Sequence, residues 1–145
     1  MLFRSISYRA PLAITVAEAF WGGVAAEVAS GRRVLLVAWC EGALAGTVQL
    51  NMDSQQNQPH RAEVEKLLVA PAHRRQGLGR ALLARASQAA ARLNKSLLTL
   101  DVRAGTAGEA LYRAEAWQET GRIPACEFDE HDVMRDVVLF WKEAR

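Results

Sequence analysis

Residues 64–83 carry the most chemistry in the chain. They read Val64-Glu65-Lys66-Leu67-Leu68-Val69-Ala70-Pro71, then Ala72-His73-Arg74-Arg75-Gln76-Gly77-Leu78-Gly79-Arg80-Ala81-Leu82-Leu83. A strand-like run leads into a short loop with two glycines, and a long helical pattern follows. Such an order makes an anion cradle. Gly77 and Gly79 lack a Cβ and let a phosphate approach the backbone, and the unbonded N–H groups of a helix start point at it. The helix dipole adds about half a positive charge there, and Arg74, Arg75 and Arg80 add full charges. Two other phosphate motifs fail: no Gly-Lys-Ser/Thr completes a P-loop, and Gly77-Leu78-Gly79 lacks the third glycine of a dinucleotide fingerprint. Taken alone, the loop reads equally as an ordinary helix start with a solvated basic patch.

The elements that must position this loop follow from periodicity. Apolar residues Phe20, Trp21, Val24, Ala25 and Val28 recur at three and four, which predicts an amphipathic helix over 17–30, weakened by Gly22 and Gly23 and stopped near Gly31. Runs at 34–39 and 43–52 around Glu41-Gly42 predict a β-hairpin. A third strand spans 61–70, with Glu63 and Glu65 on one face by the period of two, and ends at Pro71, which cannot donate to a ladder. After the loop 71–76, Leu78, Leu82, Ala86, Ala89 and Leu93 line one face of a helix over 77–94. A strand at 97–102, a short helix at 107–116, a strand at 117–123 and a last strand at 133–141 complete the series. The last is apolar on both faces and is expected to be central in its sheet.

Composition bounds the partners. At 145 residues and 50% hydrophobic, the chain is expected to form one domain. Eighteen basic against 16 acidic residues leave a net charge of +2, too little to favour nucleic acid, and no aromatics interleave with the basic loop. No apolar run reaches the roughly 18 residues of a membrane span. Pro11 and Glu18 interrupt the N-terminal apolar stretch before it could serve as a signal-peptide core. Cys40 and Cys126 have no metal or disulfide spacing, and His60, His73 and His131 no mutual metal spacing, so no metal is expected and the thiols read as incidental ones of a reducing, cytoplasmic compartment.

The flanking segments give the loop its meaning. Arg74-Arg75-Gln76-Gly77-Leu78-Gly79 matches the Arg/Gln-x-x-Gly-x-Gly/Ala signature of the GNAT superfamily of N-acetyltransferases. Leu67-x-Val69-x-Pro71 resembles that family's preceding strand, and Ala110-Leu111-Tyr112 with Ala116-Trp117 resembles its "A-x-LY…GF" segment, so the likeness covers 34–123. More narrowly, residues 61–67, Leu100-Asp101, Ala104-Gly105, Glu109-Ala110 and Gly121-x-Ile123-Pro124 look like the branch containing tabtoxin-resistance and streptothricin-type acetyltransferases.

The resemblance implies a mixed α/β fold, a central splayed sheet flanked by helices, with acetyl-CoA as co-substrate between the strand ending at Val69 and the one ending at Asp101. Backbone groups of Leu67, Leu68 and Val69 would pair with the pantetheine arm like an added strand, and the stretch Arg74, Arg75, Gln76, Gly77, Leu78, Gly79, Arg80 and Ala81 would take the pyrophosphate. It also implies an amine acceptor. An alkyl ammonium with a pKa of about 10.4 is almost all protonated at pH 7, so a base is required. Asp101 and Glu63 are the available carboxylates, and Tyr112 occupies the position whose hydroxyl the wider family uses to protonate the leaving thiolate.

Blander readings stand beside these roles. Asp101 could pair structurally with Arg103, Glu63 could be solvent-facing, and Tyr112 could be a core aromatic. The chain also departs from the family pattern. Residues 1–16 are short for the usual first strand and helix, so one or both are expected to be missing, and an edge left bare would need covering by the arm or by a second subunit in a homodimer. Cys126 sits where the branch often has an aromatic hydroxyl near the acceptor. A small-molecule amine, antibiotic, toxin or metabolite, is the acceptor expected; a protein N-terminus or lysine, or an acetyl-CoA-binding module with little catalysis, are the alternatives.

Overall fold

Strands of alternating character pair into one six-stranded mixed sheet in a computed structural model that describes residues 12–145. Helix α1 (Ile14–Ala29) is followed by β1 (Arg33–Cys40), β2 (Ala43–Asn51) and β3 (Arg61–Val69). A single 3-10 turn (Pro71–His73) leads to α2 (Leu78–Arg92), β4 (Leu97–Arg103), α3 (Ala107–Ala114), β5 (Gln118–Phe128) and β6 (Met134–Glu143). The spatial order is β1-β2-β3-β4-β6-β5. Among the described residues, neighbours are antiparallel except β3 and β4, which are parallel and joined through α2. As expected from its two apolar faces, β6 is interior, between β4 and β5.

Local chemistry explains the elements. The hairpin turn places Glu41 at φ 50° and Gly42 at φ 77°, the two positive values that match the twist of tight hairpins. Thr106 caps α3 by accepting the Glu109 N–H at 3.4 Å, while the Glu109 carboxylate accepts the Gly105 N–H at 2.7 Å. This reciprocal Thr-x-x-Glu arrangement is a readable helix start.

Several boundaries moved. Helix α1 begins at Ile14, three residues before the expected start; the expectation that a strand or helix is missing before it falls on residues 1–11, outside the described residues. Of its expected inner face only Val24 is buried, Phe20 and Trp21 are half-buried, and Ala25 and Val28 are exposed. Helix α2 ends at Arg92, which leaves Leu93 46% exposed, while Leu83 and Ala90, not foreseen as inward, are buried. Strand β5 runs past Pro124 to Phe128. Proline is tolerated on an edge strand, and a bulge between Ile123 and Glu127 is stitched to β6 by the Ala125 N–H donating to Asp136 at 3.0 Å.

The feature that shapes the molecule lies in β3. Against β2, the register runs Asn51↔Glu63, Leu50↔Val64, Gln49↔Glu65 and then Thr47↔Leu68, so β3 uses three residues where β2 uses two. The extra residue is a β-bulge at Lys66, φ 50°, whose carbonyl accepts the Thr47 hydroxyl at 3.3 Å. Against β4, pairing stops after Arg61↔Leu97, Ala62↔Leu98 and Glu63↔Thr99. Beyond Glu63 the two strands separate.

Side chains on one sheet face keep the two halves together. Val48, Leu50, Ala62, Val64, Leu98, Leu100, Val138 and Phe140 pack with Leu82, Leu83, Ala86 and Ala90 of α2 in one core. The other face of β2 and β3 is polar. Arg33 donates to Glu65 at 2.7 Å and to Gln49 at 2.8 Å and pairs with Glu27 of α1, while Asn51 donates to the second Glu65 oxygen at 3.0 Å. In β4, Leu98, Leu100 and Val102 are buried, whereas Thr99, Asp101 and Arg103 face the other way and are half-buried.

Gly46 allows β2 to follow the bulge, because a Cβ there would sit 2.9 Å from the Leu68 carbonyl oxygen and 3.0 Å from Leu82. Gly46→Val is therefore expected to lower stability by ~2–4 kcal/mol, read as a drop in denaturation midpoint at unchanged m. A midpoint within error of the parent would show that β2 does not need this close approach.

Candidate active site

Where β3 and β4 part, they enclose a cleft of about 1070 Å³. One wall is residues 63–71 and the other is residues 101–103 and 105–108 with Ala110, Leu111 and Tyr112, while His73, Arg74, Arg75 and residues 77–80 close one end. Beyond Glu63, no strand among the described residues pairs with the β4-facing edge of β3, so its backbone groups are available to an extended ligand. Leu67, Leu68 and Val69 all line the cleft.

The helix start leaves backbone N–H groups unbonded. Gly77 caps α2 at φ 83°, and Arg75 also has a positive φ of 62°. Ala81 is the first residue whose N–H closes onto a carbonyl, that of Gly77 at 3.0 Å, so the N–H groups of Leu78, Gly79 and Arg80 lie in the unbonded first turn. A Cβ at Gly77 would meet nothing within 4 Å, which leaves the space before these N–H groups open. The residues present therefore fit a phosphate-bearing ligand.

Not every residue of the predicted segment contributes. Ala81 spends its N–H inside the helix and does not line the cleft, and Gln76 turns away to donate to the Ala72 carbonyl at 3.2 Å. Gly79 has a second reason to lack a side chain, since its Cβ would come 3.2 Å from Leu111. The arginines divide likewise. Arg74 donates to the Val69 carbonyl at 3.1 Å and Arg80 pairs with Glu115, whereas among the described residues Arg75 has no side-chain hydrogen bond or ion pair.

Glu63, Asp101 and Tyr112 line the same cleft. Burial pushes the Glu63 carboxyl up, the charges of Glu65 and Asp101 push it further, and Arg61 and Arg33 oppose them. Burial likewise raises Asp101, against its own backbone N–H and Lys66, with Glu65 adding to the rise. Arg103 is not the structural partner of Asp101, because it pairs with Glu127 and lies 3.3 Å from Glu130. Glu65 shares the Glu63 face as expected but is tied to Arg33 and Asn51. Tyr112 is both core and cleft. It is only 7% exposed and packs edge-on against Trp117 at 5.7 Å, yet among the described residues no hydrogen bond holds its hydroxyl, and burial with the Asp101 charge keeps that hydroxyl protonated.

Sequence reading missed two contributions. The capped turn at residues 105–108 forms part of the far wall, and its signal was Thr106-x-x-Glu109. Lys66, the residue at the bulge, also lines the cleft. Its ammonium stands 5.8 Å above the Phe20 ring of α1, and burial lowers its pKa against the pull of Glu65 and Asp101.

Known proteins share this construction. A ribosomal-protein-alanine N-acetyltransferase from Brucella melitensis superposes with a TM-score of 0.76 at 24% identity, over 87% of this chain and 77% of that one. The yncA structure from Salmonella typhimurium, which contains its cofactor acetyl-CoA, gives 0.76 at 21% identity over 88% and 73%. A GNAT-family acetyltransferase from Streptococcus pneumoniae gives 0.74 at 24% over 92% and 79%. At these identities the superpositions establish the fold, and the sequence itself establishes the family: residues 9–116 match the acetyltransferase (GNAT) family model, so the chain belongs to the GNAT acetyltransferases.

Proposed function

We propose that the protein transfers the acetyl group of acetyl-CoA directly to a primary amine of a small molecule, with Asp101 as general base and Tyr112 as the acid for the leaving thiolate. The observation that carries this reading is that the two carboxylates, the Tyr112 hydroxyl and the open start of α2 all line one cleft. Arg75 and the N–H groups of residues 78–80 would hold the phosphates, and the free edge of β3 at 67–69 the amide-bearing arm. Bound there, acetyl-CoA supplies an activated thioester carbonyl.

The chain's own groups do the rest. About one alkyl amine in 2,500 is neutral at pH 7, so Asp101, whose raised pKa brings it nearer neutrality, accepts the proton of the incoming ammonium. Glu63 adds negative potential that gathers a cationic acceptor and is the alternative base. The protonated Tyr112 hydroxyl donates to the departing sulfur. Holding both substrates in one cleft supplies a large share of the rate, since oriented reactants gain ~7–11 kcal/mol. A second reading, acetylation of a protein N-terminus, draws on the name of the B. melitensis neighbour; a peptide beginning with alanine belongs in any acceptor panel.

Three outcomes test this. Gly77→Val should weaken acetyl-CoA binding at least ~10-fold by calorimetry, because a side chain at φ 83° fills the approach to the α2 N–H groups; unchanged affinity would remove the cradle from that position. Asp101→Asn should lower kcat/KM by ~10²–10⁴ with acetyl-CoA binding retained. It should also leave stability at pH 7 equal or higher. A carboxyl whose folded pKa is raised favours the fold below its ordinary pKa and loses that benefit as pH rises through the raised value, so its ionised form costs stability at neutrality. A structural Asp101 would instead give a clear loss of midpoint. Finally, kcat/KM should fall on acidification with an apparent pKa above the ordinary carboxylate range, and a limb near 4 would contradict a buried base.

A further inference from the structure

The chain has three lysines, Lys66, Lys95 and Lys142. Lys95 donates to the Pro59 carbonyl at 2.7 Å and Lys142 to the Glu115 carbonyl at 2.6 Å, and neither lines the cleft. Lys66 does line it. The bulge sets its backbone immediately before Leu67, the first residue of the edge assigned to the amide-bearing arm; the residue lines the cleft shared by Asp101, Glu63 and Tyr112, and its ammonium feels the charges of Asp101 and Glu63. The Phe20 ring gives the ammonium an apolar neighbour on the α1 side.

We propose that Lys66 is itself an acetyl acceptor, so that the protein acetylates its own cleft when no external amine is present. The inference rests on the reading of the cleft as an acetyl-transfer site. The chemistry is the same as for an external amine. The Lys66 ammonium gives one proton to Asp101, its nitrogen lone pair forms a C–N bond to the thioester carbonyl carbon, and the C–S bond breaks with its electron pair on sulfur. Of the two protons nitrogen loses, one ends on the CoA thiol and one leaves to solvent through Asp101. No oxidant, reductant or metal enters the balance. Desolvation, which depresses the Lys66 pKa, increases its share of neutral amine, while the nearby carboxylates oppose that effect and supply a proton acceptor.

Site selectivity separates this from ordinary chemical acetylation. Lysines labelled from solution react according to exposure and free amine, so acetyl phosphate, a donor without the adenosine diphosphate and pantetheine that the cleft would hold, should label Lys95 and Lys142 at least as fast as Lys66. Acetyl-CoA should reverse the order. The test is site-resolved mass spectrometry of the whole protein incubated with each donor without an external amine, beside thiol release with an amine panel. Expected are acetylation of Lys66 by acetyl-CoA ~10-fold or more faster than of Lys95 or Lys142, loss of that preference with acetyl phosphate, and a ~10²-fold slower Lys66 reaction in Asp101→Asn. Thiol release to an external amine with Lys66 unmodified would overturn the inference and leave the acetyltransferase reading intact. Equal labelling of all three lysines by both donors would also overturn it, and failure to bind acetyl-CoA would overturn both.

Discussion

One interruption of backbone pairing organises this protein. The bulge at Lys66 gives β3 one residue more than β2 can match, and the parallel ladder with β4 ends at Glu63↔Thr99. In a continuous sheet the backbone groups beyond that point would bond to each other. Here they are left facing a cleft, at a cost the fold offsets from both sides: Gly46 and Thr47 follow the bulge, and core side chains of β3, β4, β6 and α2 continue beneath it. A bent, unpaired strand edge is a weakness in most sheets and a ready surface for an extended ligand in this one.

The electrostatics follow from the same opening. Three carboxylates lie at the parting strands, and the structure treats them differently. Glu65 is claimed by Arg33 and Asn51, an arrangement that also ties β1, β3 and, through Glu27, α1 together. Among the described residues Glu63 and Asp101 have no such side-chain partner, and both are half-buried, so both resist ionisation. Groups held in this way cost stability at neutral pH, as carboxyls serving the proposed proton transfer would. At the opposite end the polarity reverses, with Arg75 and the first turn of α2 forming a positive terminus.

Legibility in the sequence tracked how local the cause was. The cradle, α2 and the interior position of β6 rested on glycine spacing, helical periodicity and an apolar run, all local signals. The bulge left little local trace, since a lysine after Glu63 and Glu65 reads as one more charged strand residue, and the residue that shapes the cleft is not marked as a site by local pattern. The fate of individual arginines was equally hidden: Arg80 pairs with Glu115 and Arg103 with Glu127, partners 35 and 24 residues away that no periodicity could supply. Resemblance carried the roles of Asp101, Glu63 and Tyr112, and the fold supplied what resemblance could not, their convergence on one cleft in which Glu65 is tied to Arg33 and Asn51. The Thr106-x-x-Glu109 cap was readable and simply not read.

The most direct test of the account is a crystal structure of the protein with coenzyme A. The pyrophosphate is expected at the N–H groups of residues 78–80, the pantetheine amides bonded along the β4-facing edge of β3 at 67–69, and the sulfur within hydrogen-bond reach of the Tyr112 hydroxyl. Coenzyme A bound outside the parting of β3 and β4, or with its sulfur turned away from Tyr112 and Asp101, would contradict it.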